Sequence, residues 1–169
     1  KVMWTNEFAK VFDAVADGGA TVLGMDIIFP TTVESKIRGF DRPFLQSLRR
    51  NGYAGRFVLS KVQHSADPIL PSVGQRFAVG HGANIRAVNL YSDKEGIVRG
   101  VPTGFLQNNA GTERVFEPSF AFELAARALG DRLEVDDITR VSRDGELIPV
   151  VDGHNMLINF DDTQAGIPT

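Results

Sequence analysis

The sequence contains no cysteine. This absence excludes a thiol nucleophile, a cysteine-ligated metal site and a disulfide framework. Long apolar runs are also missing: the best one, residues 20–29, is interrupted by Asp26 and falls short of the roughly 18 residues that a spanning helix needs. We therefore expect no membrane-spanning segment within these 169 residues.

An excess of positive charge is absent as well. Lysine and arginine number 18 and aspartate and glutamate 21, which gives a net charge of −3. No basic run is present to neutralise a phosphate backbone, so nucleic acid is excluded as a partner. The hydrophobic share of 43% and the charged share of 23% fit an ordinary globular chain and exclude disorder, collagen-like repeats and coiled coil. We expect one domain, residues 1–169.

Recognised catalytic and cofactor-binding motifs are missing too. The chain holds no nucleophile elbow, no zinc-protease helix signature and no phosphate-binding P-loop. Gly-His-Gly at 80–82 begins like a dinucleotide fingerprint, but Ile85 stands where the third glycine belongs. We therefore predict no catalytic residue, no metal site and no cofactor. None of the three histidines has a second histidine at the i, i+4 spacing typical of a metal site on a helix. They are His64, His81 and His154.

The first sixty residues have the pattern of a strand–helix–strand unit. A first helix is predicted to begin at Thr5. The continuous apolar run 20–29 is typical of a central parallel strand that is buried on both faces. Asp41 is predicted to cap a second helix, and residues 56–60 are predicted to form the next strand. Short links between these elements favour a right-handed βαβ crossover. The apolar face of the first helix is Phe8, Val11, Phe12 and Val15.

The rest of the chain adds shorter elements. We predict a short strand at 77–80 and a hairpin that joins 87–91 to 97–101 through an Asp-Lys-Glu-Gly turn. A third helix is predicted over 119–130. The expected fold class is therefore α/β: a mixed sheet with a βαβ start and antiparallel hairpin additions, and helices packed on the sheet.

Asp26 is the most informative single residue, because a carboxylate inside an apolar strand is costly to bury unless it is paired. One interpretation makes it a ligand-binding carboxylate near the carboxyl end of a strand, where open α/β sheets place their sites. The alternative is structural: it caps loop amides or pairs with an arginine. Arg99 is a natural partner for Asp26 or for an anionic ligand. The alternative is that Arg99 is an edge-strand residue whose side chain points to water.

Two further candidates for ligand binding lie close together in the sequence. His81 stands between two glycines that allow a close backbone approach. Asn84 follows shortly after. Each also has a plain structural interpretation, His81 as a surface or hydrogen-bonded residue and Asn84 as a turn or strand-entry residue.

The order of the segments, more than any one motif, points to a family. The motifs in chain order are Asp-Ile-Ile-Phe at 26–29, Asp41, Asn84, the Asp-x-x-Gly-x-x-Arg segment at 93–99 and the Ser-led, alanine-containing helix at 119–126. In this order they resemble the second class of the cyclase- and histidine-kinase-associated sensory extracellular (CHASE) domains. The resemblance covers about residues 8 to 160. The family continues into a further α/β stretch, so we expect either the front part of a longer domain or a short member.

The resemblance implies an extracytoplasmic, periplasmic sensor domain of a bacterial membrane receptor. Membrane helices would precede Lys1 and follow the domain, and the cytoplasmic output would be an adenylate or guanylate cyclase or, less often, a kinase. The implied partner is a small-molecule or environmental signal of unknown identity, and a homodimer is possible. The resemblance assigns no ligand-binding residues, although Asp26 and Arg99 fall on its recurrent positions.

Two other functions stay open at this stage. A small α/β hydrolase-like or transferase-like enzyme would use Asp26 with His81, which requires the two side chains to lie within hydrogen-bond reach. A structural dimerisation module would pair its apolar helices with those of a second copy.

Overall fold

The computed structural model describes residues 4–34, 36–64, 67–108, 114–135, 140–151 and 155–158. It confirms the mixed α/β class. The helices are α1 (Thr5–Asp17), α2 (Arg42–Tyr53), α3 (Val73–Ala78) and α4 (Phe120–Leu129). The strands are β1 (Leu23–Met25), β2 (Phe57–Lys61), β3 (Ile85–Ala87), β4 (Gly100–Pro102), β5 (Gly104–Asn108), β6 (Arg114–Pro118), β7 (Leu133–Val135), β8 (Val141–Arg143), β9 (Glu146–Leu147) and β10 (Asn155–Leu157).

A three-stranded parallel sheet in the order β1-β2-β3 forms the centre of the fold. The register places Met25 beside Leu59, and Leu59 beside Ile85. The predicted βαβ start is confirmed, because α2 connects the parallel strands β1 and β2. The predicted central position of the 20–29 strand is wrong: β2 is the middle strand, and β1 has only three residues.

The apolar run 20–29 extends beyond β1 because its last residues pack against helices. The ring of Phe29 lies 5.8 Å from that of Phe8 and 6.2 Å from that of Phe44, measured between centroids. The predicted burial on both faces is wrong, since Met25 is the one buried residue of the run and Ile27 is 46% exposed. The length of an apolar run alone does not distinguish a central strand from a segment that continues beyond its strand.

The main core lies between this sheet and the pair α1 and α2. Phe44 and Leu48 of α2 and Phe57 of β2 are fully or almost fully buried, and Phe12 of α1 packs on Phe57 with ring centroids 4.6 Å apart. The predicted inward face of α1 is half wrong. Phe8 and Phe12 face the core together with Ala9, whereas Val11 and Val15 remain 53% and 41% exposed.

Helix α4 covers the opposite face of the parallel sheet. Gly24 makes this close approach possible, because an added Cβ would lie 2.5 Å from Leu124 Cδ1 and 2.7 Å from Phe120 Cζ. A second, smaller core holds Phe122, Leu133 and Val141 on the far side of α4. The segment 77–80, predicted as a strand, forms the end of α3 and the turn that follows it, since a short apolar run does not distinguish a strand from a helical turn.

Antiparallel pairs complete the structure. Strands β5 and β6 pair antiparallel, β10 pairs with β4, and β7, β8 and β9 form a three-stranded antiparallel sheet. The hairpin predicted between 87–91 and 97–101 is wrong in its arms: β3 joins the parallel sheet and β4 pairs elsewhere. Its turn is present, closed by a hydrogen bond from Asp93 N to Ile97 O of 2.9 Å. Among the described residues, no helix has both the length and the apolar character to cross a membrane.

Candidate functional site

A small cleft opens where the parallel strands end at their carboxyl edge. It has a volume of about 140 Å³. Asp26, directly after β1, lies on one side, and residues 87–90, which include the end of β3, lie beside it. Residues 101–102 of β4 and residues 119–121 at the start of α4 complete the lining. Parallel strands bring their carboxyl ends to one edge, which is why segments far apart in sequence meet there.

The amino end of α4 is fixed over this cleft by Ser119. Its backbone N–H donates to Thr103 O at 2.9 Å, and its side-chain oxygen accepts the backbone N–H of Phe122 at 3.3 Å. This is the arrangement of an N-cap serine, which satisfies a free amide of the first helical turn. The sequence predicted a helix start here but gave no signal that its first turn would line a cleft.

Asp26 is the one ionisable residue among the described residues that line the cleft. The side chain is exposed to the opening, so the expectation of a buried strand carboxylate is wrong. Within the described part of the chain, the Asp26 carboxylate has neither a hydrogen-bond nor an ion-pair partner. The nearby Asn89 is engaged elsewhere: its Oδ1 accepts from Gln63 N at 2.7 Å and its Nδ2 donates to Gln63 O at 2.9 Å.

Arg99 does not pair with Asp26. Its Nε donates to Asp93 Oδ2 at 2.6 Å and its Nη2 donates to Glu95 Oε2 at 2.8 Å, so the guanidinium clasps the turn that precedes β4. Asp93 also accepts the backbone N–H of Ile97. This bond and the Arg99 guanidinium lower the pKa of the Asp93 carboxyl below its ordinary value. The Asp-x-x-Gly-x-x-Arg segment therefore stabilises its own turn.

Asn84 lies at the other edge of the sheet, in a 3-10 turn just before β3. It is buried, and its Nδ2 donates to Val79 O at 2.6 Å and to Gly52 O at 3.1 Å. These bonds join the end of α2 to the end of α3. In this arrangement the Asn84 side chain has a structural role, and its predicted part in ligand binding has no geometric support.

His81 belongs to the same 3-10 turn and is exposed. Its φ of +59° is unusual for a residue with a side chain, and its ring packs edge-on against Phe77 at 5.5 Å between centroids. His81 precedes β3 whereas Asp26 follows β1, so the two residues lie at opposite edges of a parallel sheet. They do not form the acid–base pair that an enzyme would require. Of the four predicted site residues, only Asp26 lines the cleft.

Larger surface depressions exist among the described residues, two of them, of about 410 and 420 Å³, between neighbouring elements. The one of about 490 Å³ is lined by Gln46, Arg49, Arg50 and Tyr53, all from α2. A depression formed by one helix is the space between its own side chains, whereas the cleft at Asp26 is built from four separate segments. In the described part of the chain, no three His, Asp or Glu side chains are grouped to hold a metal ion.

Comparison with known families gives one result. The family model described as the CHASE2 domain matches residues 3–169. Searches of curated proteins and of solved structures returned no match. Since the matched residues are nearly the whole chain, the chain belongs to the CHASE2 family of extracellular sensory domains, in agreement with the resemblance noted in the sequence.

Proposed function

We propose that this chain is the extracytoplasmic, periplasmic ligand-binding domain of a bacterial transmembrane receptor, and that its signal binds in the cleft at Asp26. The single observation that carries the ligand site is the Asp26 carboxylate, which has no partner among the described residues and lies in a cleft between the ends of β1 and β3, β4 and the start of α4. The domain itself performs no catalysis in this proposal. The output would be a cytoplasmic adenylate or guanylate cyclase or, less often, a kinase.

The position of the cleft suggests how binding would be transmitted. One wall belongs to the parallel sheet and another to β4, which pairs with β10 near the end of the described residues. A ligand that contacts both walls would favour one relative arrangement of these two sheets over another. A receptor needs only such a difference in affinity between two states.

The ligand site is tested by thermal unfolding of chain 1–169 in the presence of a library of small metabolites and ions. A ligand at about one hundred times its Kd stabilises the folded state by about 2.7 kcal/mol. For a chain of this size we expect the melting temperature to rise by about 5–10 °C. The Asp26→Asn variant should lose this rise.

Asp17→Asn is the matched control for Asp26→Asn, since Asp17 lies exposed at the end of α1, outside the cleft. This variant should keep the full ligand-dependent rise. If Asp26→Asn lowers the melting temperature of the free chain but leaves the ligand effect unchanged, the cleft is not the ligand site.

The receptor assignment has its own test. The full-length protein should fractionate with membranes. Addition of the ligand to those membranes should change their cyclase or kinase activity. Full-length protein that stays in the soluble fraction would contradict this part of the proposal.

A dimerisation module is a second candidate function, and a specific surface favours it. Trp4, Val11 and Val15, here called the α1 stripe, lie at the i, i+7, i+11 spacing that places them on one face of the helix. Trp4 is 58% exposed, Val11 53% and Val15 41%. Exposed apolar residues on one helix face match a second copy of the same helix.

We expect chain 1–169 to dimerise through the α1 stripe and Val11→Lys to weaken the dimer by at least about tenfold, because it places a like charge on both sides of the interface. Sedimentation equilibrium over a range of concentrations measures this. Val73→Lys on α3, where Val73 is 72% exposed, introduces the same charge outside the stripe and should leave association unchanged. A wild-type chain that stays monomeric at all concentrations would contradict the dimer.

A further inference from the structure

The geometry points to a ligand class: we propose that the cleft binds a small organic cation, an ammonium group held by the Asp26 carboxylate with a short apolar body behind it. This inference rests on the proposed function, which places the ligand in the same cleft. It adds the charge, the size and the chemical nature of what binds there.

Charge is the first argument. Among the described residues of the lining, Asp26 supplies the one charged side chain and none is basic. The neighbouring strands offer no free cation, since Arg86 on β3 pairs with Glu123 at 2.9 Å and Lys61 at the end of β2 pairs with Glu117 at 2.8 Å. A carboxylate beside apolar surface without an internal counterion is stabilised most by a ligand that brings the positive charge.

The amino end of α4 is the competing influence, because the free amides of its first turn carry partial positive charge and favour an anion. Part of that demand is already met, since the Ser119 side chain accepts the backbone N–H of Phe122. Asp26 itself, in the same cleft as residues 120–121, supplies a full negative charge. An anionic ligand would have to approach this carboxylate, whereas a cation is attracted to it.

The remaining walls suit the body of an alkylammonium ion. Leu90, Val101 and Phe120 present apolar surface to the cleft. The aromatic ring of Phe120 reaches the strand that ends next to Asp26, as its close approach to Gly24 indicates. Aromatic rings favour cations over neutral polar groups of the same size. The walls therefore favour the same ligand class as the carboxylate.

Size limits the choice further. At about 30 Å³ for each water-sized group, a cleft of about 140 Å³ accepts four or five non-hydrogen atoms. Propylammonium, propionate and propan-1-ol all have this size and the same three-carbon chain. They differ in charge, so the three compounds separate the effect of charge from that of shape.

The test is a titration of each compound into chain 1–169 at neutral pH, followed by amide chemical shifts in NMR spectra. We expect propylammonium to give saturable shifts around the cleft with a Kd on the order of 1 mM, as suits a ligand of so few atoms. Asp26→Asn should weaken this binding by at least about tenfold, the usual cost of losing a charge-assisted hydrogen bond. Asp17→Asn should bind like the wild-type chain.

The outcomes separate the ligand class from the site. Saturable binding of propionate or propan-1-ol in the cleft, with propylammonium equal or weaker, would overturn the cationic ligand and leave the cleft as the binding site. The same conclusion follows if propylammonium fails and the library compounds that give an Asp26-dependent rise in melting temperature are all neutral or anionic. If no compound in either experiment depends on Asp26, both proposals fall.

Discussion

Replacing Glu123 by alanine is expected to lower the free energy of unfolding by about 3 kcal/mol, because it breaks a largely buried ion-pair network. Glu123 lies on α4 between two guanidinium groups. Arg86 Nε donates to its Oε2 at 2.9 Å and Arg127 Nε donates to its Oε1 at 2.7 Å. The three side chains are only 13–20% exposed, so water would not fully replace the lost carboxylate. Two like charges would remain side by side.

The loss of the Glu123 carboxylate should also affect ligand binding in the cleft, although Glu123 does not line the cleft. Arg86 belongs to β3, so its ion pair ties α4 to the parallel sheet, and Arg127 ties α4 to Gly55 O at 2.8 Å. The first turn of the same helix forms one cleft wall. We therefore expect Glu123→Ala to weaken Asp26-dependent ligand binding as well as stability.

Urea unfolding at neutral pH measures the first effect, with unchanged m-values required for a simple comparison. Glu7→Ala is the matched control, because Glu7 forms an exposed i, i+3 pair with Lys10 and should cost no more than about 0.5 kcal/mol. Equal costs for Glu123→Ala and Glu7→Ala would show that the α4 network contributes no more than a surface ion pair.

Replacing Asp41 by alanine is expected to cost about 3 kcal/mol, because three donors lose a charged acceptor in a buried site. Asp41 is 4% exposed. Its Oδ1 accepts from Thr5 Oγ1 at 2.7 Å, and its Oδ2 accepts from Thr32 Oγ1 at 2.5 Å and from Val33 N at 2.9 Å. Asp41 thus joins the start of α1 to the loop that leads into α2.

Asp41→Asn should cost less, about 1–2 kcal/mol, because the amide retains one acceptor oxygen for Val33 N and its NH₂ group can donate to the Thr5 hydroxyl. Urea unfolding of the three proteins at neutral pH tests this order. An Asp41→Ala variant within about 0.5 kcal/mol of the wild-type chain would contradict the role of Asp41.

Asp41 also makes stability depend on pH. Burial raises the pKa of its carboxyl, but the hydrogen bonds from Thr32, Thr5 and the backbone of Val33 and Glu34 together lower the pKa by more. The pKa in the folded chain therefore lies below the ordinary value of 3.8. The unfolded chain therefore takes up this proton first on acidification. The contribution of Asp41 is complete above about pH 5 and is lost as the pH falls through 3.8 toward the folded-state pKa.

Urea midpoints measured between neutral and acidic pH check this sign. The wild-type chain should lose stability in that window more steeply than Asp41→Asn, which has no carboxyl at this position. Parallel curves for the two proteins would mean that Asp41 has the same pKa in the folded and unfolded states.

Asp41 shows how far sequence reasoning carries. Its position directly before α2 was predicted, and the structure places it there. The predicted capping bond is wrong, since the side chain makes no bond to the amides of α2 and instead accepts from Thr5, Thr32 and Val33. A cap is a local interaction that the sequence order reveals. A contact with Thr5, thirty-six residues away, depends on how α1 packs.

Asp26 and Arg99 show the same limit at the candidate site. The sequence singled out both residues for their charge in apolar surroundings. Arg99 pairs with Asp93 and Glu95, within six residues, because a tight turn brings them together at little entropic cost. Asp26 ends its strand at an edge where β3 and α4 supply the neighbours, and nothing in the local sequence around Asp26 encodes them.

The sequence by itself determined the α/β class, the βαβ start and the family, because apolar periodicity, turn residues and the order of short motifs are properties of the chain direction. Only the tertiary structure decided which residues line the cleft. The lining residues come from segments around positions 26, 88, 101 and 120, and a carboxylate, a helix start and two strand ends meet there because parallel strands and the packing of α4 on Gly24 place them at one edge. Hydrophobic burial fixes that packing, and it acts between residues that are distant in sequence.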